Sequence, residues 1–355
     1  MTIQFEVMEL KNKPFPLFEN IKTVIGETLR YVVRNVNSAM ILSYFQIGKM
    51  IVEDEQQGNR RAEYAKETIL QLSNELNKEF GKGYSVSNLE YMRNFYINYH
   101  NRISQSVIGE LLKDLKSQSP TGILQNPFHL SWTHYIQLLK IKNEDERNFY
   151  EIETVENNWS VRELQRQYNS ALFERLALSK DKKTIRQLAE KGQVIEKAAD
   201  ALKSHYVLEF LGLKEDTKYS ESDLETAIIN KLEHFMLELG KGFLFEGRQR
   251  RFTFEGDSFF IDLVFYNRLL RCFVLFDLKI GKLTHQDIGQ MQMYVNYYDR
   301  KIKTIDEKPT IGIVLCKEEN RTVIEFTLPE DNEQIFAKEY RAVLPSKEAL
   351  KKQLE

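Results

Sequence analysis

Phe259-Phe260-Ile261-Asp262-Leu263-Val264-Phe265-Tyr266 and, just beyond it, Cys272-Phe273-Val274-Leu275-Phe276-Asp277-Leu278-Lys279-Ile280 decide the reading of this chain. Both runs have the aromatic and β-branched composition of strands buried in a sheet. The first is broken only by the carboxylate of Asp262, the second only by Asp277 and Lys279. A carboxylate taken out of water is costly unless it is paired or holds a cation. Side chains alternate along a strand, so Asp277 and Lys279 share a face. The loop between the runs, residues 267–270, is too short for a parallel crossover and predicts an antiparallel pair. A turn centred on Leu269 and Leu270 sets Asp262 opposite Asp277. A turn centred on Asn267 and Arg268 sets it opposite Phe273. The two registers differ by an even shift, so in both Asp262 stays on the face of Phe273, Leu275, Asp277 and Lys279.

Outward from these runs, the second half reads as a helix over 223–239, strands over 248–254, 258–266 and 271–280, a helix from His285 to about Tyr298, and a last buried strand over 310–316. Glu255-Gly256-Asp257 is a hairpin signal, and Thr284 is placed to cap the helix that follows. Helix, three strands, helix and strand predict an α/β sandwich on a central mixed sheet.

The first half reads as helical. Ile21, Val24, Ile25, Thr28, Leu29, Val32, Val33 and Val36 recur at helical spacing. A helix over 61–80 ends at Gly81 and Gly83, and Ser85 or Ser87 starts the next. Residues 104–127, with Pro120 and Pro127, read as a long connection interrupted by an amphipathic turn over 107–115. Three more helices are predicted over 132–141, 145–156 and 161–178, started by Ser131, Asn143 and Ser160, the last with a capping box to Glu163. A lysine-rich stretch follows, over 179–203. The division is therefore an all-helical domain over 1–190, open to a split near 104–127, and an α/β domain over 191–355. The fold class is α+β, multidomain.

Composition excludes some classes. The chain has 355 residues, 50 Lys plus Arg against 52 Asp plus Glu, and a net charge of −2. There is no global basic excess of the kind nucleic-acid binders often carry, so any such surface must be local. Cys272 and Cys316 lie in apolar runs and have no zinc-site spacing, so they read as buried small hydrophobes. Residues 1–13 do not have the pattern of a signal peptide. No apolar run is long enough to span a bilayer. A cytoplasmic protein without membrane association is expected.

Two acids and an ammonium on one strand face suit a hard cation with oxygen ligands; a buried structural ion pair is the other reading that spacing allows. Glu225 lies among apolar neighbours on the helix before the strands, and Gln290 and Tyr294 lie one turn apart on the helix after them. A Glu-bearing helix, an Asp, Asp-x-Lys and then Gln-x-x-x-Tyr resembles the PD-(D/E)XK nuclease superfamily, in its RecB-like variant. Ile261 stands where that pattern usually has proline. Leu208-Glu209-Phe210-Leu211-Gly212, residues 261–266 and 277–298, Trp159-Ser160-Val161-Arg162-Glu163-Leu164 and Gly81-Lys82-Gly83 are similar to the YhcG-type nucleases of bacteria. That resemblance runs from about Pro16 onward.

The resemblance implies a restriction-endonuclease-like fold and metal-dependent hydrolysis of phosphodiester bonds in nucleic acid, DNA first. Asp262, Asp277 and the carbonyl of Leu278 would bind Mg²⁺, with Mn²⁺ able to substitute. Lys279 would orient or activate water, and Glu225 would complete the acidic cluster. Gln290 and Tyr294 would steady the site or touch the nucleic acid. Arg248, Arg250 and Arg251 precede the Asp262 strand and are candidates for phosphate. In the helical half, the Gly81–Gly83 turn with Arg93 and the helix start with Arg162 and Arg166 are candidate helix-turn-helix elements, or else packed hairpins with polar outer faces. A homo-oligomer would suit cutting of two strands. The alternative function is a catalytically silent nucleic-acid-binding or regulatory protein built on the same fold.

Overall fold

The computed structural model describes residues 16–57, 62–102, 127–178, 182–213 and 219–354. The chain divides into two compact units, residues 1–142 and 143–355. The amphipathic turn expected over 107–115, and nearly all of the long connection around it, lie outside the described residues.

The first unit holds α1 (Pro16–Gln57), α2 (Ala62–Phe80), α3 (Val86–Tyr99) and α4 (Trp132–Leu138). α1 and α3 approach closely at Gly48, where a Cβ would run into the Met92 carbonyl. Around that approach Phe45, Phe95, Tyr99, Phe128 and Tyr135 are buried, with Phe95 4.8 Å from Phe128 and 4.9 Å from Tyr135 between ring centroids. Gly81 (φ +84) ends α2 as expected. The turn to α3 is tied by the Asn77 side chain, which accepts from Tyr84 N at 3.2 Å. Ser85 caps α3.

The second unit starts with α5 (Glu144–Glu156), α6 (Val161–Asn169), α7 (Leu172–Ala177) and α8 (Lys182–Lys191). Asn143 and Ser160 cap as expected. The capping box is only half made, because Glu163 turns instead to Arg166 at 3.4 Å and Gln167 at 2.7 Å. Nor is 161–178 one helix. It breaks at Ala171, which is left-handed at φ +54, and the Arg175 guanidinium folds back onto Ser170 O at 2.8 Å.

The sheet comprises β1 (His205–Val207), β2 (Phe243–Phe254), β3 (Asp257–Asn267), β4 (Cys272–Lys282), β5 (Ile311–Glu318) and β6 (Ile335–Arg341). Their order is β1-β6-β5-β4-β3-β2. β2, β3 and β4 pair antiparallel, and β4, β5, β6 and β1 pair parallel, so the sheet is mixed as expected. Glu255 and Gly256 both have positive φ, 49° and 97°, as a two-residue hairpin turn of the I′ kind demands.

α9 (Glu221–Asn230) and α10 (Leu232–Leu239) cover one face, packing Leu224, Ile228 and Phe235 against Leu263, Phe265 and Phe276. The single helix expected over 223–239 is thus two, broken at Lys231 (φ −124). α11 (His285–Tyr297) covers the other face with Ile288, Met291 and Val295. Gly312 lets α11 lie close, since a Cβ there would sit 2.5 Å from Met291 Sδ. α12 (Arg321–Thr327) and α13 (Lys347–Leu354) complete the unit. β5 is not the last strand: β6 follows, and β1 precedes the sandwich. Neither was anticipated. Cys272 and Cys316 are buried, as expected. Among the described residues no helix is long and apolar enough to cross a membrane.

The units divide earlier than the 190/191 boundary that composition suggested, and the reason is electrostatic. β1 is a sheet edge with outward-facing backbone groups, and edges must be covered or paired. Here Arg175 Nη1 donates to His205 O at 3.1 Å, Arg166 Nη2 donates to Val207 O at 3.3 Å, and the Glu238 carboxylate accepts from Val207 N at 2.9 Å. Arg175 and Glu238, both fully buried, pair at 2.5 Å. Burial works to raise the Glu238 carboxyl, but Arg175, Lys203 and Arg166 overcome it and hold it down at about 2. α6 and α7 therefore belong with the sheet. α5 joins it through Lys241, whose ammonium lies 2.8 Å from Glu153 Oε1 and donates to Gln193 O at 2.9 Å.

Breaking one partner of a buried pair strands the other. Arg175→Met keeps much of the volume and removes the charge. Urea denaturation of this variant is expected to show a loss of about 3–5 kcal/mol. A loss under about 1 kcal/mol would mean that Lys203 and Arg166 hold Glu238 without it.

Candidate metal and phosphodiester site

Asn267 pairs with Cys272, and the ladder continues to Leu263 with Phe276. This is the register of a turn centred on Leu269 and Leu270, and its next step sets Asp262 opposite Asp277. Regular pairing stops there. The Leu278 N–H, at the end of the ladder, donates instead to Asp262 Oδ2 at 2.8 Å. The carboxylate thus takes over a backbone partner's role, which fixes its position relative to β4. Burial pushes the Asp262 carboxyl up, against the pull of that N–H.

Asp277 is 2 % exposed. Its Oδ2 lies 2.9 Å from Lys279 Nζ. The contact is an ion pair, and beyond that ammonium the oxygen meets no hydrogen-bond donor among the described residues. Burial pushes the Asp277 carboxyl up to about 7; Lys279 opposes the rise and Asp262 adds to it. Burial works to lower the Lys279 ammonium, yet Asp277, with Glu221 and Asp262, holds it above its ordinary value. Glu221 Oε2 lies 3.6 Å from the same ammonium.

Glu225 reaches the site from α9, which Ser220 and Asp223 start with a reciprocal capping box. It does not meet the other acids directly. The amide of Gln249 on β2 stands between, donating to Glu225 Oε2 at 2.7 Å and to Asp262 Oδ1 at 3.0 Å. Burial raises the Glu225 carboxyl, and Asp262 adds to the rise against the Gln249 bond. Sequence reading missed Gln249, which sits in a polar run whose arginines alone stand out as candidates for phosphate.

Gln290 and Tyr294 project from α11, whose start is fixed by the Thr284–Asp287 capping box. Gln290 Nε2 donates to the Tyr294 hydroxyl, which donates to Phe260 O at 2.8 Å. The pair therefore holds β3 two residues before Asp262.

The arginines separate. Arg248 is exposed beside the site and its charge acts on Glu225. Arg162 is exposed at the start of α6. Arg250 pairs with Glu246, and Arg251 donates to Ser258 Oγ at 3.1 Å. Arg93 is paired with Glu55 at 2.7 Å. Arg166 corrects an expectation: its side chain, 14 % exposed, is committed to Glu209 at 2.8 Å and Glu238 at 3.3 Å. Its guanidinium braces the fold, taken up by these two acids.

Among the described residues no three His, Cys, Asp or Glu side chains converge as a preformed cation cage. The oxygen donors present still fit a hard divalent ion. Mg²⁺ is ordinarily held by one or two carboxylates and completes its shell with water and phosphate. Asp277 offers a buried oxygen that meets no donor beyond the Lys279 ammonium among the described residues.

A mixed sheet between helices, with two acids and a lysine where two of its central strands part, is the arrangement of a PDDEXK nuclease domain. Residues 199–355 match the YhcG PDDEXK nuclease domain, and residues 20–175 match the DUF1016 N-terminal domain. The chain is 40% identical over 356 residues to the Escherichia coli (strain K12) protein named "Putative nuclease YhcG", a match spanning 95% of this chain and 92% of that one. The chain belongs to the YhcG family. Among solved structures it overlaps a repair endonuclease from Pyrococcus abyssi at 15% identity, covering 37% of this chain and 50% of that one, with a TM-score of 0.26. It overlaps EndoMS in the EndoMS-dsDNA2 complex at 13% identity, covering 38% and 50%, with a TM-score of 0.25. Overlaps this slight carry no further meaning for this chain.

Tyr294→Phe removes the hydroxyl and leaves Phe260 O without its donor. Thermal or urea unfolding is expected to show a loss of about 1 kcal/mol, the ordinary worth of such a bond. Unchanged stability would remove the hydroxyl from the account of how β3 is placed.

Proposed function

We propose that the 143–355 unit is a divalent-metal-dependent nuclease that hydrolyses phosphodiester bonds, with DNA as its substrate. The observation that carries this reading is the meeting of Asp262, Asp277 and Lys279 where β3 and β4 part. Asp262, Asp277 and the Leu278 carbonyl would hold Mg²⁺, or Mn²⁺ in its place, with Glu225 nearby. Bound there, the ion would neutralise charge on the phosphate and acidify a water.

The chain's own residues supply the rest. Lys279, held protonated by three acids, donates and does not accept, so it orients the attacking water or a phosphate oxygen instead of deprotonating it. Charge stabilisation by placed donors is a large share of such catalysis. Asp262 is anchored by the Leu278 N–H and the Gln249 amide, which limits its freedom before substrate arrives. Arg248 is the exposed cation closest in role to a phosphate contact. Gln290 and Tyr294 act through the backbone of β3.

Cleavage of labelled DNA and RNA panels with Mg²⁺, Mn²⁺ or EDTA tests the reading. DNA is expected to be cut with metal and spared in EDTA. Asp277→Ala and Lys279→Ala are each expected to cut at least about 100-fold more slowly, the scale of losing one electrostatic partner. Wild-type rates in either variant would exclude this site. Binding without cutting by the wild type would favour the catalytically silent alternative, and cutting of RNA alone would overturn the choice of substrate.

A pH dependence follows from Asp277. A carboxyl raised to about 7 must lose its proton before it can ligate a cation. Binding is therefore full above that value and is lost as pH falls through it. Calorimetric Mn²⁺ affinity is expected to fall about tenfold from pH 8 to pH 6, one proton being displaced per ion. A flat profile would take Asp277 out of the ligand set.

A further inference from the structure

We propose that Gln249 is a positioning residue of the cation centre, tying Glu225 to Asp262 and so bringing a carboxylate from α9 into register with the strand acids. The inference rests on the metal-dependent reading above.

Three observations carry it. The first is the double donation: one amide nitrogen gives hydrogen bonds to both carboxylates, at 2.7 and 3.0 Å. The second is the backbone. Arg248 pairs with Leu263 and Arg250 with Ile261, so Gln249 falls opposite Asp262, just past a register shift between Phe245 and Gly247. Gln249 itself is left-handed at φ +47. A non-glycine residue rarely adopts that conformation, and it tends to persist where surrounding structure imposes it. The third is the chemistry of the side chain. Lysine or arginine at this position could bridge the same acids, but it would cancel their charge and compete with a cation. A neutral amide bridges them and leaves the charge in place.

The bridge also sorts the oxygens. Asp262 Oδ1 takes the amide and Oδ2 takes Leu278 N–H, so each keeps a lone pair. Glu225 is bound through Oε2, and its other oxygen is left to turn toward a cation. Hydrogen bonds of this kind around ligating carboxylates commonly set affinity by about 10–100-fold.

Calorimetric titration of the full chain with Mn²⁺ at pH 8, without nucleic acid, tests the proposal. Gln249→Met keeps the length and removes both donors, and it is expected to weaken Mn²⁺ binding about 10–100-fold. Gln249→Lys is expected to weaken it at least as much while raising the melting temperature in EDTA, because an ammonium then bridges the acids. In a Glu225→Gln background the effect of Gln249→Met is expected to shrink, since one end of the bridge no longer matters. Wild-type affinity in Gln249→Met, or an undiminished effect in the Glu225→Gln background, would overturn the positioning role and leave the nuclease reading intact. Absence of Mn²⁺ binding by the wild type would overturn both.

Discussion

The pairing of Arg175 with Glu238 inside the second unit is the constraint on which the rest of its architecture hangs. Both groups are fully buried, so neither can do without the other. Satisfying them brings α7, α10 and β1 to one place, and Arg166 and Lys203 close the arrangement. Its second effect is on the backbone: the outward groups of β1 find partners in side chains, and the short edge strand is sealed. With β1 fixed, β6 and β5 follow in parallel, and β5 sets β4. Asp277 and Lys279 stand on β4, which is thereby linked through β5 and β6 to the sealed far edge of the sheet.

At the site the logic is reversed, because order there comes from an interruption. β3 and β4 pair regularly up to Leu263 and Phe276, then give way to a side-chain acceptor. A carboxylate that replaces a ladder carbonyl is placed as firmly as backbone, yet it keeps a lone pair on each oxygen. Asp277, one step along, is buried with an oxygen that meets no donor but the Lys279 ammonium among the described residues. Folding leaves such a group with a raised affinity for protons, and the same setting suits a divalent ion. Lys279 gives only a partial answer to that demand, since its ammonium is shared with Glu221.

Much of this was legible in the sequence because charges in an apolar strand are a strong signal. Asp262, Asp277 and Lys279 announced themselves by breaking runs of Phe, Val, Ile and Leu, and strand parity put them on one face before any register was known. The turn at Glu255 and Gly256 and the caps at Asn143, Ser160 and Thr284 are local chemistry and could be read locally. What escaped depended on distant partners. β1 is three residues long, pairs on one side with β6 and is covered on the other by Arg166, Arg175 and Glu238, and no window of sequence contains that fact. The breaks at Ala171 and Lys231 fall within continuous helical periodicity. Arg166 looked like a surface cation because the acids that bury it lie 43 and 72 positions away. Gln249 sat in a polar run whose register shift only the folded sheet reveals.

The seam between the two matched sequence regions lies near residues 175 and 199, while the seam between compact units lies at residues 142 and 143. A gene rearrangement that cut at the first seam would encode a sheet with a bare edge and an acid deprived of its guanidinium. Recombination can trade the nuclease half for another only if the stretch from Asn143 travels with it. The two halves are in this sense co-inherited, joined by charge pairs such as Arg175 with Glu238 and Lys241 with Glu153 that straddle their boundary, and a working graft of this PDDEXK domain onto another protein would have to begin at Asn143 and not at residue 199, where its family match starts.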